Sequence, residues 1–116
     1  MPTALITGAS RGIGRRTAEL LALQGWDLLL TARSADQLEQ LSDQLSSTGV
    51  SVASAAIDLT QPDGIASAMA GLLQQGETPS VLINNAGGAY TGDLLAMPIE
   101  RWQWLLQLNV TSVMQV

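Results

Sequence analysis

The sequence predicts an α/β fold in which helices cover both faces of a parallel sheet. Four short, nearly continuous apolar runs alternate with segments whose apolar residues recur at helical spacing. Runs without a polar alternation are typical of parallel strands, which are buried on both faces. Strands and helices that alternate along a chain form a doubly wound sheet through right-handed crossovers.

The predicted elements alternate from one end of the chain to the other. Strands are expected at 3–7, 27–32, 50–57 and 80–84. Helices are expected at 13–24, at 34–45, from Thr60 to about Gly76, and from Pro98 to the chain end. In the second helix, Ser34 followed three residues later by Gln37 has the spacing of a capping box. All elements fit one domain, 1–116.

Composition excludes several classes of function. The chain has 116 residues and a net charge of −5, so we expect no broad cationic surface and no nucleic-acid partner. It contains no cysteine and no histidine, which excludes disulfides, thiolate chemistry and a Cys/His metal site. No apolar run approaches the ~18 residues of a membrane span, and no charged leader follows Met1. We therefore expect a cytoplasmic protein that binds neither membrane nor metal.

Three glycines mark the junction between the first strand and the first helix. Gly8, Gly12 and Gly14 have the spacing G-x-x-x-G-x-G, which differs from the G-x-G-x-x-G of most dinucleotide folds. A P-loop is excluded because the chain has no lysine. In a doubly wound fold this turn faces the ligand crevice, where glycines let a pyrophosphate approach the amides of the helix N-terminus. A tight turn without a ligand is the alternative.

Four motifs in one order resemble the short-chain dehydrogenase/reductase family. They are "TGASRGIG" at 7–14, Asp58-Leu59 after the third strand, "NNAG" at 84–87, and Asn109 in the last helix. The resemblance covers the whole chain. It implies a Rossmann-type sheet with strand order 3-2-1-4, the amino-terminal portion of a catalytic domain, and hydride transfer to or from NAD(P).

The resemblance also implies a cofactor contact at each matching position. The residues implied to cradle the pyrophosphate are Gly8, Gly12, Ile13 and Gly14. Asp58 is implied to accept a hydrogen bond from the adenine amino group, while the Leu59 backbone contacts the ring. The residues implied to lie along the adenosine ribose are Asn85, Ala86 and Gly87, with Asn84 tying their loop to the sheet.

The end of the second strand predicts NADP(H) as the cofactor. NAD enzymes usually place an acid there, which binds the ribose hydroxyls and repels a 2′-phosphate. Here the neutral residues Thr31, Ala32 and Ser34 surround the cationic Arg33. Arg11 and Ser10, in the glycine loop, add a second guanidinium and a hydroxyl, which suits forked hydrogen bonds to phosphate. The alternative is that Arg11 and Arg33 are ordinary surface residues with no ligand. A methyltransferase is disfavoured because its ribose-binding acid belongs where Arg33 stands.

Asn109 is the single catalytic candidate, in a supporting role. The resemblance implies an asparagine that holds a water linking the catalytic lysine to solvent; a core polar group is the alternative. The family's Ser and Tyr-x-x-x-Lys follow this helix, whereas this chain has no lysine and its one tyrosine, Tyr90, comes too early. We therefore expect the front half of an NADP(H)-dependent oxidoreductase for a carbonyl or alcohol, inactive alone. A non-catalytic nucleotide-binding module, completed by another chain, is the alternative.

The last helix is apolar on two faces. One stripe joins Asn109 to Trp102, Leu105, Leu106 and Val113, and we expect it to face the core. Trp104 and Leu108 lie roughly opposite. The resemblance implies that this helix packs against its counterpart in a partner subunit, so we expect Trp104 at the interface of a homo-oligomer.

Overall fold

Four parallel strands form one sheet in the computed structural model, which describes residues 2–89 and 92–116. The strands are β1 (Thr3–Thr7), β2 (Asp27–Ala32), β3 (Val52–Ala56) and β4 (Val81–Ile83). Their order across the sheet is β3-β2-β1-β4. This confirms the α/β prediction and the strand order 3-2-1-4. Tyr90 lies outside the described residues.

Helices connect the strands and cover both faces of the sheet. They are α1 (Gly12–Leu23), α2 (Ala35–Ser46), α3 (Ile65–Leu73), α4 (Ile99–Leu106) and α5 (Ser112–Gln115). A 3-10 turn spans Leu94–Ala96, and a π-helical turn, Gln107–Thr111, joins α4 to α5. Within the described ranges, no helix is both long enough and apolar enough to cross a membrane.

Alternation along the central strands divides the core into two clusters. Ile6, Leu28 and Leu30 point to one face, where they pack with apolar residues of α1 and α2. Leu5 and Leu29 point to the other face, where they pack with apolar residues of α3 and with the π-helical turn. Because both faces are covered, β1 is buried along its whole length and β2 from Leu28 onward. Packing on both faces therefore fixes the positions of the carboxyl ends of these strands.

The third helix begins later than the sequence predicts. Its first residue is Ile65 rather than Thr60, because Asp58 and Thr60 form a hydrogen-bonded turn instead. Gly64 is the N-cap residue of this helix and has a φ of 90°, a left-handed conformation that favours glycine. Strands β3 and β4 are also shorter than the predicted 50–57 and 80–84.

The last helix packs with the face opposite to the expected one. Trp104 and Leu108 pack against the core cluster of α3. Trp102 is 48% exposed and Leu106 56% exposed, and Val113 is exposed too. The expectation that the stripe with Trp102, Leu106 and Val113 faces the core was therefore wrong, because a helix with two apolar faces does not reveal which one meets the sheet.

Candidate functional site

A cavity of about 620 Å³ lies at the carboxyl edge of the sheet. It is bordered by the segments that follow β1, β2, β3 and β4, and by α4 with the π-helical turn. The expected site residues that line it are Gly8, Ser10, Arg11, Gly12, Arg33, Leu59, Asn85, Ala86 and Gly87. Four others lie beside it without lining it: Ile13, Gly14, Asp58 and Asn109. This is where doubly wound folds bind ligands.

The glycine loop leaves space for a ligand at Gly12. Its φ is +61°, and a Cβ built there would meet no atom within 4 Å, so the direction in which a side chain would project is open. The N-cap residue of α1, Arg11, makes no side-chain capping bond, and the first turn carries no acid. The amides of this turn are therefore free of a side-chain cap and suited to an anion.

Gly14 allows close packing at the start of α1. It is buried, and a Cβ there would collide with the carbonyl oxygen of Gly8 and lie 2.5 Å from the Asn85 Nδ2. Gly8 is similarly confined, since a Cβ would lie 2.9 Å from the Ala86 Cα. The glycines at 8 and 14 thus let α1 and the loop after β4 approach β1 closely. The pyrophosphate role assigned to Gly14 and to exposed Ile13 stays a prediction.

Thr7 joins the loop after β4 to the end of β1. Its buried Oγ1 accepts hydrogen bonds from the amides of Asn85 and Ala86, each at 3.0 Å. Asn85 in turn donates from Nδ2 to the Gly8 carbonyl at 3.1 Å. The sequence prediction gave this tie to Asn84, but Asn85 makes it. Thr7 was missed, although a hydroxyl directly before the first glycine was a usable signal.

Asn109 fastens the same loop to the last helix. Its carboxamide hydrogen-bonds to the backbone of Gly88, and its Nδ2 also donates to the Leu105 carbonyl at 3.0 Å. It lies within the π-helical turn, a distortion that is frequent at functional sites. The side chain is exposed at the cavity rim and not part of the core.

Two arginines border one corner of the cavity. Arg11 comes from the glycine loop and Arg33 from the end of β2, and both are exposed. Beside them lie Ser34, the N-cap of α2, and Gln37, whose amide donates to the Ser34 Oγ at 3.3 Å. Gln37 was not expected at the site. Its position one turn after Arg33 was the signal that could have found it.

Asp58 is engaged by its own turn. Its Oδ1 accepts from the Thr60 hydroxyl at 2.6 Å and from the Thr60 amide at 2.9 Å. The hydroxyl bond is the largest cause that lowers the pKa of Asp58, and the amide bond and the positive charge of Arg33 act in the same direction. The carboxylate is therefore ionised at neutral pH. Its hydrogen bond to an adenine stays a prediction.

The remaining wall of the cavity is apolar. Ile57, Leu59 and Leu108 are buried, and Trp104 closes the wall beside Gly88. A Cβ on Gly88 would lie 2.8 Å from the Trp104 ring, so this glycine allows the indole to pack on the loop. The Arg101 guanidinium lies 4.5 Å from the centroid of the Trp104 ring, within reach of a cation–π interaction. An apolar wall suits an aromatic base.

Comparison with known proteins identifies the family. Residues 2–116 match the family model described as short chain dehydrogenase. The chain belongs to the short-chain dehydrogenase family. Among curated members, it is 36% identical to serine 3-dehydrogenase of Rhizobium radiobacter, covering 98% of this chain and 45% of that protein. It is 34% identical to the 3-oxoacyl-acyl-carrier-protein reductase of Escherichia coli, covering 97% of this chain and 45% of the relative.

Solved structures of oxidoreductases share the same fold. A short-chain dehydrogenase from Sphingobium yanoikuyae in complex with NADPH matches with a TM-score of 0.89 and 39% identity, over 99% of this chain and 45% of that one. An alcohol dehydrogenase from the archaeon Thermococcus sibiricus, complexed with 5-hydroxy-NADP, matches with a TM-score of 0.93 and 33% identity, over 99% and 49% of the two chains. The chain thus spans about half the length of these relatives.

Within residues 2–89 and 92–116, no group of three or more carboxylates could bind a metal ion, and the sequence has no histidine or cysteine. The donors that border the cavity are guanidinium, hydroxyl, carboxamide and backbone groups. The guanidinium groups among them suit an anion.

Proposed function

We propose that this chain is the cofactor-binding portion of an NADP(H)-dependent oxidoreductase that acts on a carbonyl or alcohol. One observation carries the proposal: the charged side chains lining the cavity are Arg11 and Arg33, and none of the described lining residues is an acid. In a chain of net charge −5, a cavity lined only by positive charges selects an anionic ligand.

The residues present fit a phosphorylated dinucleotide. The open space at Gly12 and the uncapped amides at the start of α1 suit a pyrophosphate. The apolar wall of Ile57 and Leu59 suits the adenine, and the two guanidinium groups suit a 2′-phosphate. Matched structures that hold NADPH or NADP support the same assignment.

In this proposal the nicotinamide, when bound, supplies or accepts the hydride. The chain's own residues bind and orient the cofactor: the glycine loop at its phosphates, the 85–87 segment along the ribose, and Asn109 by holding that segment's loop through Gly88. The proton-transfer pair that the family resemblance implies, a tyrosine and a lysine, has no counterpart here because the sequence has no lysine. We therefore expect binding without turnover from this chain alone.

A second candidate is a nucleotide-binding module without catalysis, completed by another chain. The missing lysine favours it over an enzyme in the 116-residue chain. The reading frame after codon 116 distinguishes the two, because an encoded Ser and Tyr-x-x-x-Lys would support the oxidoreductase. Assembly into a homo-oligomer, a small carbonyl or alcohol substrate, and a cytoplasmic location belong to the proposed enzyme and stay predictions.

Titration with reduced cofactors tests the proposal. The chain should bind NADPH more tightly than NADH, and Arg33→Asp should abolish or reverse the preference, since one charged contact to phosphate contributes roughly 1.5–3 kcal/mol. Arg16→Asp, an exposed position on α1 outside the cavity, is the matched charge control. Equal or tighter binding of NADH by the unmodified chain would refute NADP(H) specificity.

A further inference from the structure

The N-terminus of α2 carries half of a capping box. Ser34, the N-cap, accepts a hydrogen bond from the Gln37 amide at 3.3 Å. In a complete box, the side chain three residues after the cap returns a bond to the cap's own amide. Within the described ranges, the Gln37 side chain makes no such bond; it is exposed and borders the cavity instead. Its carboxamide is therefore available to a ligand.

Position 37 carries no charge, although it lies in the first turn of the helix. The first turn of a helix favours acids, and a capping box accepts Glu as readily as Gln. The neighbouring positions follow that preference, with Asp36 in the first turn and Glu39 after it, but neither borders the cavity. The one residue of the α2 helix that does border it is neutral. In the first turn of α2, the position that borders the cavity therefore carries no negative charge.

We propose that Gln37 is a specificity-determining residue for a 2′-phosphorylated adenosine. Its carboxamide donates to the phosphate that Arg11 and Arg33 neutralise, and its lack of charge keeps a carboxylate out of that corner. The inference rests on the proposed function. It adds a carboxamide from α2 to the guanidinium groups of Arg11 and Arg33 and the hydroxyl of Ser10, none of which comes from that helix.

Two nucleotides that differ only in the 2′-phosphate give the cleanest test. Adenosine 2′,5′-bisphosphate and adenosine 5′-monophosphate are titrated calorimetrically into the 116-residue chain and three variants, each at a concentration at which light scattering shows no aggregation. Gln37→Glu introduces a carboxylate, and Gln37→Met removes the donor at similar size. Gln40→Glu makes the same charge change on an exposed position of α2 outside the cavity.

The preference for the bisphosphate is the measured quantity. We expect Gln37→Glu to reduce it about tenfold or more, Gln37→Met about threefold, and Gln40→Glu by less than about twofold. Gln37→Glu completes the capping box, so its melting temperature should hold or rise while its affinity falls, which separates the effect from misfolding. If Gln37→Glu does not fold, the comparison of Gln37→Met with Gln40→Glu decides.

The outcomes separate the inference from the proposed function. A clear preference for the bisphosphate that both Gln37 variants retain would overturn the role of Gln37 and leave NADP(H) binding intact. Equal affinity of the unmodified chain for the two nucleotides, or no binding of either, would overturn both.

Discussion

The carboxamide of Asn109 hydrogen-bonds to both backbone polar groups of Gly88. Its Oδ1 accepts from the Gly88 amide at 3.1 Å, and its Nδ2 donates to the Gly88 carbonyl at 2.9 Å. A carboxamide suits this arrangement because it offers both a donor and an acceptor. One side chain in the π-helical turn thereby fixes the distance between the last helix and the loop that borders the cavity.

Replacement of Asn109 should weaken the fold measurably. Asn109→Leu removes both bonds to Gly88, and we expect the free energy of unfolding in urea to fall by about 1–2 kcal/mol. Asn109→Asp keeps the acceptor but sets a carboxylate against the Gly88 carbonyl, so it should lose a similar amount at pH 7. Gln103→Leu, at an exposed position of α4, is the control. Equal losses of unfolding free energy for Asn109→Leu and the control would show that the two hydrogen bonds to Gly88 do not stabilise the fold.

Two helical glycines should respond in opposite ways to the same substitution. Gly14→Ala places a Cβ against the Gly8 carbonyl and Asn85, and overpacking of this kind costs about 1–3 kcal/mol. Gly71, in α3, has no atom within 4 Å of its would-be Cβ, so Gly71→Ala should stabilise by up to about 1 kcal/mol. Thermal unfolding of both variants checks the signs. An unchanged melting temperature for Gly14→Ala would mean that α1 can shift on the sheet to make room for the added Cβ.

Local sequence patterns predicted the bounds of an element correctly where one signal dominated. Strands β1 and β2 have the predicted bounds because one apolar run ends at Gly8 and the next begins just beyond Gly25. The start of α3 was not predictable, since Thr60 resembles a cap but its hydroxyl is bonded to Asp58. The cavity's glycine loop followed from spacing and family resemblance.

Tertiary packing decided the rest of the site. Which apolar face of α4 meets the sheet depends on Gly88, which is small enough to accept Trp104. The π-helical turn also breaks the 100° periodicity on which the predicted stripe depended. Neither feature is visible in the pattern of the helix itself.

The reversed face of α4 changes the expected oligomer contact. In the enzyme proposed above, Trp102 rather than Trp104 should lie between subunits, because Trp102 is 48% exposed. Trp102→Glu should shift a dimer or tetramer toward monomer in sedimentation experiments without lowering the melting temperature. Trp104→Glu, the matched change on the inward face, should destabilise the fold by about 2 kcal/mol or more. An oligomer that is unaffected by Trp102→Glu would show that the face of α4 that carries Trp102 is not the subunit interface.

The pKa of Asp58 should depend on Thr60. Thr60→Val removes the hydroxyl bond, so the pKa of Asp58 should rise toward its ordinary value in a carboxyl-carbon NMR titration. A lowered pKa contributes stability above the unfolded-state value and loses it as the pH falls through the folded-state value. The stability deficit of Thr60→Val should thus be present at pH 7 and shrink in acid. Thr48→Val, whose hydroxyl bonds a carbonyl, is the control; an equal pKa of Asp58 in both variants would contradict the assignment.

The β4 edge should make the isolated chain prone to self-association. β4 pairs with β1 on one side, and its residues Val81 and Leu82 are exposed and uncharged. Exposed apolar edges pair with other strands unless a charge or proline blocks them. We expect the chain alone to aggregate, or to pair β4 with another copy, when followed by light scattering.

A charge on that edge should suppress the association. Leu82→Lys places a lysine on the strand, whereas Leu20→Lys makes the same change on α1 at almost equal exposure, 44% against 45%. Both remove similar apolar surface, but only the first blocks strand pairing. We therefore expect Leu82→Lys to lower scattering much more than Leu20→Lys. Equal suppression by the two would assign the aggregation to general hydrophobicity, and a soluble monomer with a sharp cooperative melt would show that the edge needs no partner.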